Sequence, residues 1–164
     1  MTFADGPGPL MVGFQGKGVP LRLSRWLREG VVNGVILFSR NLEGPEQVRD
    51  LCREIRAAAG SGRPSPFIAI DQEGGRVCRL KQQGFTQFPP ARCFSLVRHH
   101  AARVAFAAGE AMAAELRAVG VNINFAPVLD VDSNPKNPVI GDRALSSDPE
   151  TAAELGIRSE EHTS

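Results

Sequence analysis

The chain has 164 residues, of which 42% are apolar and 23% are charged, so it is long enough to bury a core and lacks the composition of a disordered protein. Lys and Arg number 19 and Asp and Glu number 18, and the net charge of +1 gives no electrostatic reason to expect a nucleic acid or an anionic membrane as partner. No apolar run is long enough to span a membrane, and residues 1–5 lack the basic region of a signal peptide.

Apolar and amphipathic stretches alternate along the chain, which is typical of strands and helices in turn. In chain order we predict a strand at 9–14, a helix at 21–29, a strand at 34–38, a helix at 45–59, a strand at 67–70, a helix from about 99 to 119, a strand at 121–128 and a helix from Asp148. The helix at 45–59 has an apolar face, formed by Val48, Leu51, Cys52, Ile55 and Ala58.

Four apolar strands joined by helical connections predict an α/β fold with a parallel sheet. A doubly wound dinucleotide-binding domain and a barrel both fit this alternation. Gly13, Gly16 and Gly18 follow the first strand with the wrong spacing for a dinucleotide-binding loop, so we prefer the barrel. With about four βα units, the chain corresponds to the N-terminal half of a TIM (β/α)8 barrel.

Polar residues follow the third predicted strand directly, where a barrel builds its active site. Asp71 and Glu73 could accept hydrogen bonds from neighbouring sugar hydroxyls, or they could only cap a turn. The pair Gly74 and Gly75 permits positive φ or a close approach of the backbone to another group.

A second polar segment follows the fourth predicted strand. Asp130, Asp132 and Asn134 copy the opening of a calcium loop, but Pro135 stands where that loop needs glycine, so we predict no metal site. Arg143 could bind a sugar or pair with Asp142 or Asp132, and the residue types leave these readings open.

The remaining conspicuous residues have simpler interpretations. We expect His99 and His100 at a solvated helix start. We expect the three phenylalanines near the Pro-Pro break to pack that loop, and three nearby basic residues to carry surface charge: Phe85, Phe88 and Phe94, and Lys81, Arg92 and Arg98. The three cysteines have no CxxC spacing and predict neither a disulfide framework nor a zinc site, but reduced thiols in a cytoplasmic protein: Cys52, Cys78 and Cys93.

Five motifs in register resemble family 3 glycoside hydrolases of the bacterial β-N-acetylhexosaminidase kind. They are GVILFSRN at 34–41, IDQEGGRV at 70–77, FPP at 88–90, NFAPVLD at 124–130 and IGDR at 140–143. The resemblance covers roughly residues 8–157 and implies a cytoplasmic TIM-barrel enzyme that removes N-acetylglucosamine from muropeptides during cell-wall recycling. It implies no cofactor, a carbohydrate as the partner, and a monomer at full length.

The resemblance also implies which residues bind the sugar. Asp71 matches the aspartate that holds sugar hydroxyls in the −1 subsite, Arg79 matches an arginine of that subsite, and Arg143 matches the arginine of the IGDR segment. Asp142 departs mildly from the asparagine usual before that arginine.

The family's catalytic residues have no counterpart in this sequence. The resemblance implies an acid/base histidine after the fifth strand and a nucleophilic aspartate on a later strand end, in a retaining mechanism. We therefore expect residues 1–157 to be a partial barrel domain that is inactive alone, and residues 158–164 to be a non-native tail that resembles a translated sequencing adapter. The alternatives are a β-glucosidase-type member of the family and a non-catalytic half-barrel that binds a sugar or a protein partner.

Overall fold

The computed structural model describes residues 8–160, which form two compact units. The first, here called the sheet unit, consists of residues 8–70, Gln82–Phe85 and Leu116–Asn124. The second, the loop unit, consists of Asp71–Lys81, Thr86–Glu115 and residues 125–160. Among residues 8–160, no helix has both the length and the hydropathy that crossing a lipid bilayer requires.

The sheet unit contains a four-stranded sheet whose strands follow one another in chain order. Its strands are β1 (Leu10–Val12), β2 (Val32–Leu37), β3 (Phe67–Ile70) and β4 (Ile123–Asn124). The spatial order is β1-β2-β3-β4 and each pair is parallel. A doubly wound sheet reverses its strand order at a switch point, whereas a barrel adds each strand on the same side. The order therefore agrees with the predicted barrel.

Two helices of the sheet unit match their predicted bounds. They are α1 (Leu21–Glu29) and α2 (Pro45–Ala59), and α1 ends at Gly30 in a left-handed conformation. On α2, Ala59 is buried whereas Ala58 is only partly buried, so the predicted apolar face was wrong at this one position. Helix α2 is amphipathic over four turns because its apolar residues recur with the helical period.

The core of the sheet unit is built from large aliphatic side chains on both strands and helices. Val35, Leu37 and Ile68 are fully buried in the strands, and Leu27 and Ile55 are buried in the helices. Burying a side chain of this size contributes roughly 1.5–3 kcal/mol relative to leaving it exposed. The sheet unit is therefore stabilised chiefly by apolar burial.

The loop unit contains three helices and the longest irregular segments. The helices are α3 (Arg92–Leu96), α4 (Ala101–Val119) and α5 (Pro149–Glu160); from Leu116 on, α4 belongs to the sheet unit. The core of the loop unit is small and rich in alanine, and its large members are Phe94, Leu145 and Leu155. A Cβ at Gly109 on α4 would lie 2.4 Å from the backbone oxygen of Ser159 on α5, so only glycine permits this close helix approach.

The fourth strand is much shorter than the predicted 121–128. The N–H of Val121 donates to Leu116 at the end of α4, and the ladder to β3 stops at Asn124. Pro127 has no N–H to donate, so it cannot sustain the ladder. Strand periodicity overestimated this element because the apolar residues after Asn124 belong to a loop.

Other boundaries differ by a few residues. The first strand covers only Leu10–Val12 of the predicted 9–14, and the second runs from Val32 to Leu37 instead of 34–38. A 3-10 turn at Arg98–His100 precedes α4, which begins at Ala101 and not at 99.

The predicted tail is described only in part. Helix α5 continues without a break through Glu160, so Arg158–Glu160 are helical. Residues 161–164, and the first five residues used to judge a signal peptide, lie outside the described residues. The division of the chain at residue 157 stays a prediction.

Candidate functional site

The candidate site begins where the chain leaves β3. Asp71, Gln72 and Glu73 follow Ile70 directly. The Gln72 side chain is 1% exposed and its Oε1 accepts hydrogen bonds from the backbone N–H groups of Arg79 (2.9 Å) and Leu80 (3.1 Å). This one amide therefore connects the start of the loop to the residues seven and eight positions later.

Asp71 and Arg79 face one another across that loop. An Arg79 Nη2 lies 2.8 Å from Asp71 Oδ2, and the two side chains are 27% and 24% exposed. The pair is shielded enough to hold its geometry and still open to a ligand. A carboxylate and a guanidinium in this arrangement can accept from and donate to neighbouring hydroxyl groups.

Arg143 and Glu73 form a bidentate pair. Arg143 Nε and Nη2 donate to the two carboxylate oxygens of Glu73, each at 2.8 Å, and the Glu73 side chain is only 7% exposed. Hydrogen bonding to Glu73 raises the pKa of Arg143 above its ordinary value, partial burial opposes this, and the carboxylates of Glu73, Asp130 and Asp71 raise it further. Arg143 therefore stays charged within a group of three carboxylates.

These contacts identify the acidic partner of Arg143, and both partners that the sequence suggested, Asp142 and Asp132, were wrong. Its partner is Glu73, whereas Asp142 pairs with Arg76 at 3.1 Å and Asp132 pairs with Arg92 at 2.8 Å. Glu73 is therefore an arginine partner, which argues against the turn-capping interpretation of its side chain.

The expectation that Arg92 carries surface charge was wrong. Its side chain is 25% exposed, its Nη2 binds Asp132, and its Nε donates to the backbone oxygen of Ala144 at 3.3 Å. Arg92 starts α3, which packs with the loop-unit core, so it lies beside the 130–146 segment. Its partner is 40 residues away in the chain, and local sequence does not reveal such a pairing.

The expectations for the phenylalanines and for Lys81 and Arg98 are confirmed: Phe88 and Phe94 are buried, Phe85 is partly buried, and both basic residues are exposed. His99 and His100 are exposed as expected, but they lie in the 3-10 turn before α4 and not in the helix itself. Within the described part of the chain, no cluster of three or more His, Cys, Asp or Glu side chains could hold a metal ion.

The two glycines after Glu73 allow a close approach of backbone to backbone. Gly74 and Gly75 have φ values of +93° and +54°, and the Gly75 N–H donates to Phe88 O at 2.9 Å. A Cβ at Gly74 would lie 2.4 Å from Pro89 O, and one at Gly75 would lie 2.7 Å from Pro90 Cβ. The sequence predicted that Gly74 and Gly75 allow a close approach to another group, and that group is the backbone of the FPP segment.

Sequence reasoning missed two residues of this region, Gln72 and Arg76. Both lie inside the motif that pointed to the site, but neither residue type suggested a role. The only sequence signal for Gln72 is its place between two acidic residues, directly after an apolar strand. Its role becomes clear from its burial and from the two backbone N–H groups that donate to it.

Comparison with known proteins shows the family of this chain. The sequence matches the glycosyl hydrolase family 3 N-terminal domain over residues 19–161. A β-hexosaminidase of Pseudomonas aeruginosa is 44% identical over 148 residues, which are 90% of this chain and 42% of that protein. The chain thus spans less than half the length of this curated relative.

Solved structures agree in fold. NagZ from Neisseria gonorrhoeae, in complex with N-trifluoroacetyl-D-glucosamine, matches with a TM-score of 0.89 at 32% identity, over 96% of this chain and 47% of that one. A family 3 β-N-acetylglucosaminidase from Paenibacillus sp. FPU-7 matches with a TM-score of 0.85 at 37% identity, over 93% and 29%. The predicted α/β fold of the TIM-barrel kind is confirmed, and so is the resemblance drawn from the five motifs. The chain belongs to glycosyl hydrolase family 3, whose N-terminal domain it matches.

Proposed function

We propose that this chain supplies part of the sugar-binding site of a retaining exo-β-N-acetylglucosaminidase. Asp71 accepts hydrogen bonds from two sugar hydroxyls, and Arg79 and Arg143 donate to sugar oxygens. The observation that carries the proposal is the Asp71–Arg79 pair at 2.8 Å, partly open to solvent, in the loop that follows β3. The binding of N-trifluoroacetyl-D-glucosamine by the gonococcal relative supports this substrate class.

The group of charges suits a neutral polyol better than an ionic ligand. Arg143 is already neutralised by Glu73, and Arg79 by Asp71, so neither arginine offers an unbalanced charge. Each carboxylate oxygen retains lone pairs, and each guanidinium has several N–H groups, so hydroxyl and acetamido groups of a sugar can join the existing pairs. No cofactor takes part in this scheme.

The proposal gives this chain a binding role and no acid/base or nucleophile. In a retaining mechanism the nucleophile forms a glycosyl intermediate and the second group acts as acid and then as base. The resemblance assigns both groups to segments after a fifth strand, whereas the four described strands end at Asn124. We further propose cell-wall muropeptides as the source of the sugar, a cytoplasmic location and a monomeric full-length enzyme.

The test is a titration of the chain with N-acetylglucosamine, in which nuclear magnetic resonance monitors the arginine Nε–H signals. We expect shifts at Arg79 and Arg143, and an affinity that falls about 10- to 100-fold in Asp71→Ala because charge-assisted hydrogen bonds are lost. The matched control is Asp50→Ala, which removes an exposed carboxylate paired with Arg53 on α2. It should leave the affinity unchanged.

Three outcomes would count against the proposal. A folded chain that binds no N-acetylglucosamine contradicts the sugar-binding role. Equal affinity for glucose and N-acetylglucosamine favours the β-glucosidase-type alternative. An Asp71→Ala variant that binds within twofold of the unchanged chain shows that Asp71 is only a turn residue.

A further inference from the structure

The guanidinium group of Arg76 is surrounded by acceptors from one short segment. Its Nη1 donates to Pro138 O, and its Nη2 donates to Val139 O and to Ile140 O, each at 2.7 Å. Its Nε lies 3.1 Å from Asp142 Oδ1. One side chain thus binds three consecutive carbonyls and a carboxylate.

Arg143 uses two of the same carbonyls. Its Nη1 donates to Val139 O at 3.1 Å, and its backbone N–H donates to Ile140 O at 3.0 Å. The position of each carbonyl therefore constrains both arginines. A shift of Val139 O or Ile140 O that follows the loss of Arg76 also moves an anchor of Arg143.

Apolar burial does little to hold this segment. The Val139 side chain is 61% exposed, and Asp142 is exposed as well. The polar bonds therefore have to fix the loop. A planar guanidinium matches several acceptors in a fixed geometry, whereas the ammonium of lysine is a compact charge with three donors on a flexible stem.

We propose that Arg76 is a positioning residue that holds the carbonyls of residues 138–140 so that the Arg143 guanidinium stays aligned with Glu73. The positioning role needs no contact between Arg76 and the sugar, because Arg76 acts on Arg143 through the carbonyls that both arginines share. The alignment of Arg143 depends only on contacts within this chain, whereas its consequence for sugar affinity rests on the proposed function.

The first experiment follows the solvent exchange of the Arg143 Nε–H proton, which donates to Glu73, in the full chain. In Arg76→Lys we expect exchange about 5- to 10-fold faster, which corresponds to the loss of about one hydrogen bond. The control is Arg103→Lys, which alters an exposed arginine on α4 and should leave the rate unchanged. The Ile68 amide, bound to Asn122 at 2.6 Å, reports whether the sheet unit stays folded. An unchanged Arg143 rate in a folded Arg76→Lys variant overturns the proposal.

A second measurement needs no variant. In the unchanged chain, rotation of the Arg76 guanidinium should be slower than that of Arg103, because three carbonyls and a carboxylate hold it. Equal rotation rates would show that these bonds do not restrain Arg76 in solution, and would overturn the proposal even if Arg76→Lys failed to fold.

The sugar titration separates the two proposals. If the unchanged chain binds N-acetylglucosamine, Arg76→Lys should bind about 3- to 10-fold more weakly, and unchanged affinity contradicts the positioning role. If the unchanged chain binds no sugar, the proposed function fails, while the exchange and rotation rates still decide the role of Arg76.

Discussion

The sheet unit and the loop unit use charge in different ways. The ion pairs of the sheet unit lie on its surface, with every partner at least 44% exposed: Lys17–Glu43, Arg25–Glu29 and Arg53–Asp50. Three pairs of the loop unit are shielded, with every partner at most 27% exposed: Arg79–Asp71, Arg92–Asp132 and Arg143–Glu73. A further loop-unit pair, Arg76–Asp142, is exposed like those of the sheet unit. Exposed pairs contribute about 0–1 kcal/mol, whereas separating a shielded pair leaves an uncompensated charge.

The apolar side chains show the opposite distribution. Large aliphatic residues fill the sheet unit, whereas the loop-unit cluster is mostly alanine with Phe94, Leu145 and Leu155. The sheet unit therefore relies on burial, and the loop unit relies more on specific polar contacts. Directional contacts fix side-chain positions more narrowly than burial does, which is what a binding site requires.

The largest expected loss of stability follows from a substitution in the apolar core of the sheet unit. Leu51 on α2 is 2% exposed, and Leu51→Ala should lower the free energy of unfolding by about 3–4 kcal/mol because it leaves a cavity. Urea denaturation followed by circular dichroism measures the change. Leu21→Ala, at a leucine that is 92% exposed, is the control and should change stability by less than about 0.5 kcal/mol. A loss below about 1 kcal/mol for Leu51→Ala would contradict a burial-dominated sheet unit.

The next effect concerns the buried amide of the loop unit. Gln72→Leu keeps a similar volume but removes the acceptor of the Arg79 and Leu80 N–H groups, so we expect a loss of about 2–4 kcal/mol. The same denaturation measurement applies, with the exposed Gln83→Leu as control. Stability equal to that of the unchanged chain would mean that polar contacts matter less in the loop unit than the contrast implies.

The smallest expected effect is a dependence of the free energy of unfolding on pH, caused by the buried Cys52 thiol of the sheet unit. Burial raises the pKa of the Cys52 thiol from its ordinary 9.0 to about 11, although Arg56 acts in the opposite direction. In this window the unfolded thiol ionises and the buried thiol does not, so stability is fully present below pH 9 and falls as the pH rises toward 11. We expect a loss of about 1 kcal/mol per pH unit.

The check is the slope of unfolding free energy against pH. Cys52→Ala should remove most of this slope, and Cys93→Ala, at a partly buried thiol, is the control and should keep it. The chain has no tyrosine to titrate in the same window. Equal slopes in the unchanged chain and in Cys52→Ala would show that the Cys52 thiol is not shielded from water.

The sequence predicted the positions of the site residues better than their contacts. Asp71 and Arg79 stand together as the motif implied, and Arg143 reaches the same group of carboxylates. The assignment of all three to sugar binding stays a prediction. Neither the Glu73–Arg143 pair nor the contacts of Arg76 could be read from residue types, because the unit has many arginines and carboxylates that could pair.

What the sequence determined by itself is the alternation of elements, the family and the bounds of α1, α2 and β3, since helical and strand periodicities are local properties of the chain. Tertiary structure decided the ion pairs, whose partners are 8, 40 and 70 residues apart. It also decided the end of β4 at Asn124, where the apolar pattern continues but the backbone ladder does not. Pairing over such separations depends on the path of the loops, and that path is fixed by contacts such as those of Gln72 and Arg76.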